Sequence, residues 1–327
     1  MPTPLKSGER WMSWFSRGIV LVCLLLLSWQ LYQHGGYFLR HERWGWSLFG
    51  ILFFASLLYA VICTLLGMGW IALLRGLGDR TLASQLYVIY TKSHIAKFLP
   101  GNIFHYAGRF ALGRLAGVAH AHTTLASMGE LASLGLMAIL LMLFTLPRPL
   151  VLQHDAFTWA AGLFLGLLLL TTLLILSWCR QGWVVRFFEN RLGMQFTVPC
   201  GYPILLGGLG AAMGHLLFFI AVGALTLWLA NQLGGAAELW PQVLGIYALS
   251  WLLGTATPGS PGGVGVREVV LVAALSQMMG EPQALMLALM LRVVTTVGDF
   301  GFWAGGLLVE RVNTAVPVNT MRSHRDM

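Results

Sequence analysis

Two Pro/Gly-rich breaks interrupt otherwise apolar stretches, one in each half of the chain. The first reads Lys97-Phe98-Leu99-Pro100-Gly101-Asn102-Ile103-Phe104-His105-Tyr106-Ala107-Gly108-Arg109. The second reads Ala256-Thr257-Pro258-Gly259-Ser260-Pro261-Gly262-Gly263-Val264-Gly265-Val266-Arg267-Glu268. Proline cannot continue a helix and glycine frees the backbone, so both stretches read as non-helical. Non-helical backbone at membrane depth is tolerated only where protein or a water-filled cavity covers it. A matched pair of such breaks points to a transporter-type substrate site between two repeats.

The membrane setting follows from composition. The chain is 57% hydrophobic and 10% charged, with mean hydropathy +0.74, whereas a soluble domain carries about 25% charged residues. Its formal charge of +8 comes from Lys+Arg 20 against Asp+Glu 12. In lipid that excess reads as positive-inside loops and contact with anionic headgroups rather than as a nucleic-acid surface. Cys23, Cys63, Cys179 and Cys200 form no CxxC or metal-ligand spacing and read as small core residues. His94, His120, His122 and His215 are too dispersed to argue for a metal site. No cofactor or metal is expected. Lys6, Arg10 and Arg17 precede an apolar run that lacks a small-residue cleavage site, which predicts an uncleaved first helix.

A spanning helix needs about 20 apolar residues. Six segments meet this: 18–36, 44–74, 120–146, 156–179, 202–230 and 282–309. The stretch 82–116 is broken at Pro100-Gly101 and carries Lys92, Lys97, Arg109 and Arg114, so it reads as a re-entrant pair of half-helices. A second such pair covers about 241–280. The basic clusters are the N-terminus, Arg75/Arg80, Arg180/Arg186/Arg191 and Arg311/Arg322/Arg325. Six spans plus two re-entrant pairs place all four on one side, with both termini cytoplasmic. The unit of span, break and span then occurs twice in opposite orientations, at 44–146 and about 202–309. The expected fold is therefore an all-α polytopic membrane protein with an inverted repeat, a single membrane domain over residues 1–327.

Ionisable residues inside such spans are functional candidates by default. Glu130 lies in the span after the first break, and Arg292 and Asp299 lie in the last span. An ion pair of Glu130 with Arg292 is the plain structural expectation. Lys97 and Arg109 flank the first break; Arg267 and Glu268 close the second. Helix N-termini and a Gly262-Gly263-Val264-Gly265 backbone suit a phosphate, or the glycines serve only a tight turn. Asn102 and His105 add polar groups just after the first break. No Ser/His/Asp set or paired carboxylate stands out, which gives no basis for an enzyme.

These residues resemble the transmembrane domain of the lysylphosphatidylglycerol synthase family, a flippase-like module. Three features carry the resemblance: Lys97-Phe98-Leu99-Pro100-Gly101-Asn102 followed by Gly108-Arg109; Pro258 to Glu268, similar to a Pro-Gly-Gly-x-Gly-x-x-Glu signature; and Glu130 with Arg292 after their respective breaks. It extends from about residue 45 to 311. The resemblance implies lipid translocation or lipid handling near envelope pathways of a bacterial inner membrane. Full-length synthases of the family add a cytoplasmic aminoacyl-transferase domain, which is not expected after Arg311. Many relatives have Glu-Arg where this chain has Glu130-Leu131.

The leading expectation is a transporter for an anionic phospholipid or a polyprenyl-phosphate-linked lipid. Its headgroup phosphate would lie near Lys97, Arg109, Arg267 and Arg292, with Glu130, Glu268 and Asp299 orienting the cations. Pro100, Gly101, Pro258, Gly259 and Pro261 shape the backbone of the same site. The alternative is a non-transporting partner of a membrane glycosyltransferase or another envelope-lipid enzyme.

Overall fold

The computed structural model describes residues 46–99, 103–146, 202–234, 240–257 and 260–315, together with Leu25, Ser28, Trp29 and Tyr32. The expected spans at 18–36 and 156–179 and the Arg180–Arg191 cluster lie outside the described residues, as do Pro100, Gly101, Asn102, Pro258 and Gly259. The described elements are helices: α1 (Trp46–Ile62), α2 (Thr64–Gly76), α3 (Ala83–His94), α4 (Phe104–Leu115), α5 (His120–Thr145), α6 (Tyr202–Gln232), α7 (Trp240–Ala256), α8 (Val266–Met279) and α9 (Glu281–Ala315). A 3-10 turn (Ile95–Phe98) follows α3, and another (Pro261–Gly263) precedes α8. No strand occurs among the described residues.

The chain is an all-α polytopic membrane protein. Five helical segments among the described residues are long and apolar enough to cross a bilayer, including Ser47–Gly76, which joins α1 and α2. In lipid, both faces of a helix can be apolar, and side-chain size rather than polarity then decides which face turns inward. On α6, Leu206, Leu209, Met213 and Leu217 are exposed, while Gly207, Ala211, His215 and Phe218 are buried. The inner face is built for close approach. A Cβ on Gly207 would lie 2.6 Å from the Ala72 carbonyl oxygen and 2.8 Å from Gly76 Cα.

Helix directions follow from such contacts. Gly76 meets Pro203 and Gly207, and Gly69 meets His215, so α2 and α6 run antiparallel. Gly298 meets Ser56 and Tyr59, and Gly301 meets Ala60, so α1 and α9 run parallel. At the end of the bundle where α2 stops, His122 Nδ1 in the first turn of α5 lies 3.8 Å from Asp79 Oδ2 in the α2–α3 turn. The α3–α4 hairpin therefore enters and leaves at that end. At the opposite end Gly245 near the start of α7 meets Thr145 and Leu146 at the end of α5. The α7–α8 hairpin enters there and returns through Gly280 directly into α9.

This is the inverted repeat. One unit is α1–α2, the α3–α4 hairpin and α5; the other is α6, the α7–α8 hairpin and α9. The units exchange partners: α3 packs on α9 of the other repeat, and α7 packs on α5. The hairpin arms hold 12, 12, 17 and 14 residues, which at ~1.5 Å per residue is about 18–26 Å, short of the roughly 30 Å hydrocarbon layer. The segment Pro261–Met279 is long enough by count to cross, yet it begins at the hairpin tip rather than at an end of the bundle. The two tips touch: the 3-10 turn of one hairpin packs on that of the other, and a Cβ on Gly262 would lie 3.5 Å from the Phe98 ring. Arg75, Arg80, Arg114 and Arg311 gather at the end where α2 stops, and the described residues at the opposite end carry no Lys or Arg.

The glycine seam between α2 and α6 is directly testable. Gly207→Leu forces a clash with backbone and is expected to cost about 1–3 kcal/mol, seen as a lower melting temperature and poorer monodispersity in detergent. Gly208→Leu, where nothing lies within 4 Å of the added Cβ, is expected to match wild type.

Candidate functional site: the meeting point of two hairpin tips

One face of α9 holds both tips. Arg292 and Asp299 are seven residues apart, two helical turns, so they project from the same side about 10 Å apart along the axis. Arg292 Nη1 lies 3.3 Å from Glu268 Oε1 and donates to the Gly262 carbonyl at 3.4 Å. Arg292 thus grips the tip of the second hairpin. Asp299, 2% exposed, grips the first: Lys97 Nζ lies 2.7 Å from its Oδ2 and His94 Nε2 3.0 Å from its Oδ1. Phe98 stacks on Phe300 with ring centroids 6.1 Å apart.

The second tip is shaped by glycine. Gly262, Gly263 and Gly265 adopt φ of 56°, 75° and 84°, a region that side chains with a Cβ avoid. The turn lets the Gly265 N–H donate to Glu268 Oε2 at 2.6 Å, closing the first turn of α8. It also lets the Arg267 side chain lie between Gly254 and Gly263, where an added Cβ would come within 2.5 Å and 2.6 Å of it.

A second buried pair sits behind the first hairpin. Arg109 on α4 donates to Glu130 Oε2 on α5, and Tyr90 on α3 donates to Glu130 Oε1 at 2.6 Å. The Arg109 guanidinium, on a residue 2% exposed, lies over the rings of Tyr90, Tyr106 and Trp70 at 4.0, 5.4 and 5.6 Å. Cation–π contact and the carboxylate together compensate a charge that would otherwise be costly at this depth. Tyr90 stacks on His94 at 5.8 Å, which joins this pair to the Asp299 cluster.

The expected Glu130–Arg292 pair is therefore corrected. Each partner finds a nearer opposite charge on the hairpin that precedes its own span: Glu130 takes Arg109, and Arg292 takes Glu268. Lys97 and Arg109, expected beside a phosphate, are both already bound to carboxylates. His105 lies in the first turn of α4 against Tyr106, with ring centroids 3.9 Å apart, and its Nδ1 is buried without a partner among the described residues. Pro261 starts the second tip's 3-10 turn.

Sequence reasoning missed Tyr90, His94 and Cys63. Cys63, His94 and Asp299 each bring one donor atom within 4.8 Å of the other two, a set that could hold a metal ion. The Lys97 ammonium occupies the cation's place, 2.9 Å from His94 Nε2 and 2.7 Å from Asp299 Oδ2. Only the i, i+3 spacing of His94 and Lys97 before the break hinted at this set.

Arg109 and Arg267 each stand nine residues after the proline that opens their break, Pro100 and Pro258. They are equivalent by position and unequal in partners. Arg109 has Glu130. Arg267 has no carboxylate within ion-pair distance among the described residues; its Nη2 reaches the Thr255 hydroxyl at 3.4 Å and its Nε is buried without an acceptor. Across the two tips and the pair behind them, Lys97, Arg109, Arg267 and Arg292 face Glu130, Glu268 and Asp299, leaving one positive charge unbalanced with histidine neutral.

Breaking the Arg109–Glu130 pair from one side strands a buried charge, at about 3–5 kcal/mol. Glu130→Gln is expected to lower the melting temperature sharply, and the double variant Arg109→Met/Glu130→Met to recover most of the loss, as read by thermal unfolding in nanodiscs.

No protein-family model matches the chain, and no curated protein matches it.

Proposed function

We propose that this protein is a lipid flippase-like transporter that handles the phosphate-bearing headgroup of an anionic phospholipid or a polyprenyl-phosphate-linked lipid at the second hairpin tip. The observation that carries this is the unbalanced Arg267 beside Arg292, at the place where two hairpins from opposite ends of the bundle meet. A net positive charge inside a membrane-embedded body is costly unless an anion completes it. A phosphate offers acceptor oxygens in the planar fork geometry that arginine matches. The glycine turn at Gly262–Gly265 is what lets the Arg267 and Arg292 side chains come up against the same tip.

The inverted hairpins give the transport geometry. Each hairpin faces its own end of the bundle, and α9 bonds both, so a headgroup at the shared tip lies between two routes of access. The hydrocarbon tails need not cross a polar barrier. The resemblance to the lysylphosphatidylglycerol synthase membrane domain agrees with this assignment. So does the Arg-rich end of the bundle, which we assign to the cytoplasmic side of a bacterial inner membrane by the positive-inside rule.

The test is lipid movement in proteoliposomes with fluorescent anionic phospholipid and polyprenyl-phosphate probes. Losing one charge-assisted hydrogen bond costs about 1.5–3 kcal/mol, so Arg267→Gln is expected to slow movement by roughly 10–100-fold. Arg267→Lys, which keeps the charge, should retain part of the rate. Wild-type rates in Arg267→Gln would overturn the site. No movement of any probe by folded wild-type protein would overturn transport and favour a non-transporting partner of an envelope-lipid enzyme.

A further inference from the structure

The two repeats differ in how their hairpins close. α8 packs more extensively on α9 than α4 does on α5. The space between α4 and α5 is a cavity of about 350 Å³, lined by Tyr106, Phe110, Thr123, Ser127, Met128 and Leu131 among others. That volume falls in the range of small-ligand sites, about 300–1,000 Å³.

The cavity's wall is almost wholly apolar. The Thr123 hydroxyl donates to the Ala119 carbonyl at 3.3 Å and the Thr124 hydroxyl to the His120 carbonyl at 2.9 Å. Ser127 Oγ accepts from Trp70 Nε1 at 3.3 Å. A buried water needs about two to four polar partners, and each of these few hydroxyls already makes one hydrogen bond within the protein, so an apolar occupant suits the space better. Its rim, by contrast, faces the hydrocarbon: Met128 is 56% and Leu131 43% exposed on a helix that crosses the membrane.

We propose that this cavity holds one acyl chain of a phospholipid, entering sideways from the bilayer between α4 and α5. This rests on the lipid-handling function proposed above and extends it from the headgroup to the tail. The wall from Thr123 to Leu131 follows α5 for nine residues, a rise of about 12 Å over the eight steps at ~1.5 Å each. That is close to one leaflet's share of a roughly 30 Å hydrocarbon layer. An acyl chain fits that depth, whereas a long polyprenyl chain would leave most of its length outside. Tyr106 of the wall carries the Arg109 guanidinium over its ring. A seated chain therefore touches the hairpin that carries Lys97 to Asp299.

The test is photo-crosslinking in nanodiscs, with adducts mapped by mass spectrometry. The probes are phosphatidylglycerol carrying a diazirine midway along one acyl chain and a polyprenyl phosphate carrying the same group. Annular lipid reaches Met128 and Leu131; only a chain inside the cavity reaches Thr123 and Ser127, which are buried. Adducts from the phosphatidylglycerol probe at Thr123 and Ser127 are expected, and they should fall to background in Ala107→Trp, which fills the space. Met128→Trp at the rim gives the same loss without altering the inner wall. Adducts confined to Met128 and Leu131, undiminished adducts in both tryptophan variants, or adducts at Thr123 and Ser127 from the polyprenyl probe alone would overturn the proposal. Crosslinking reads occupancy and not movement. A failed transport assay with adducts at Ser127 would overturn transport alone, and active transport without them would overturn the acyl site alone.

Discussion

Two opposite charges on one face of α9 organise the centre of this protein. Arg292 holds the second hairpin through Glu268 and the Gly262 carbonyl, and Asp299 holds the first through Lys97 and His94. The described part of each tip is a short 3-10 turn, Ile95–Phe98 or Pro261–Gly263, whose end groups a longer α-helix would have bonded and lipid would leave unsatisfied. Contact between the tips covers that backbone, and the two charges of α9 fix where the contact forms. The long spans around them carry no such demand. They pack through small residues such as Gly76, Gly207 and Gly298 and present large apolar side chains outward.

The repeats share a plan and differ in charge. In the first, an arginine on the hairpin meets a glutamate on the following span; in the second, a glutamate on the hairpin meets an arginine on the span. The exchange leaves Arg267 without the acid that its counterpart Arg109 enjoys. An electrostatic asymmetry follows from this near-symmetry. On the first hairpin Asp299 and Glu130 neutralise Lys97 and Arg109, and on the second Glu268 neutralises Arg292 while Arg267 has no carboxylate partner among the described residues. The cavity beside α5 lies on the neutralised side, so headgroup and tail contacts would fall on different repeats.

Much of this architecture was legible in the chain. The uncharged run between Arg43 and Arg75, the break at Pro100-Gly101 and the glycine run ending at Gly265 mark the spans and both hairpins, and the structure places helix ends within a few residues of them. Arg292 and Asp299 were visible as charges in a span. What could not be read was pairing. Glu130 and Arg292, opposite charges in two spans, read as an ion pair, but each hairpin brings its own partner to the span that follows it, Arg109 to Glu130 and Glu268 to Arg292. The role of Cys63 depends on α1–α2 running parallel to α9, and that of Tyr90 on where α3 settles against α5. Those are properties of three-dimensional packing that no local spacing encodes.

The central claim, that two hairpins enter from opposite sides and meet, is tested most directly by sided thiol labelling. In a cysteine-less background, Ala116→Cys follows the first hairpin and Gln277→Cys ends the second, both at exposed positions. With a membrane-impermeant maleimide on oriented vesicles, the account predicts that each reacts from one side only and that the sides are opposite. Labelling of both positions from the same side would contradict the inverted arrangement and, with it, the shared site at the tips.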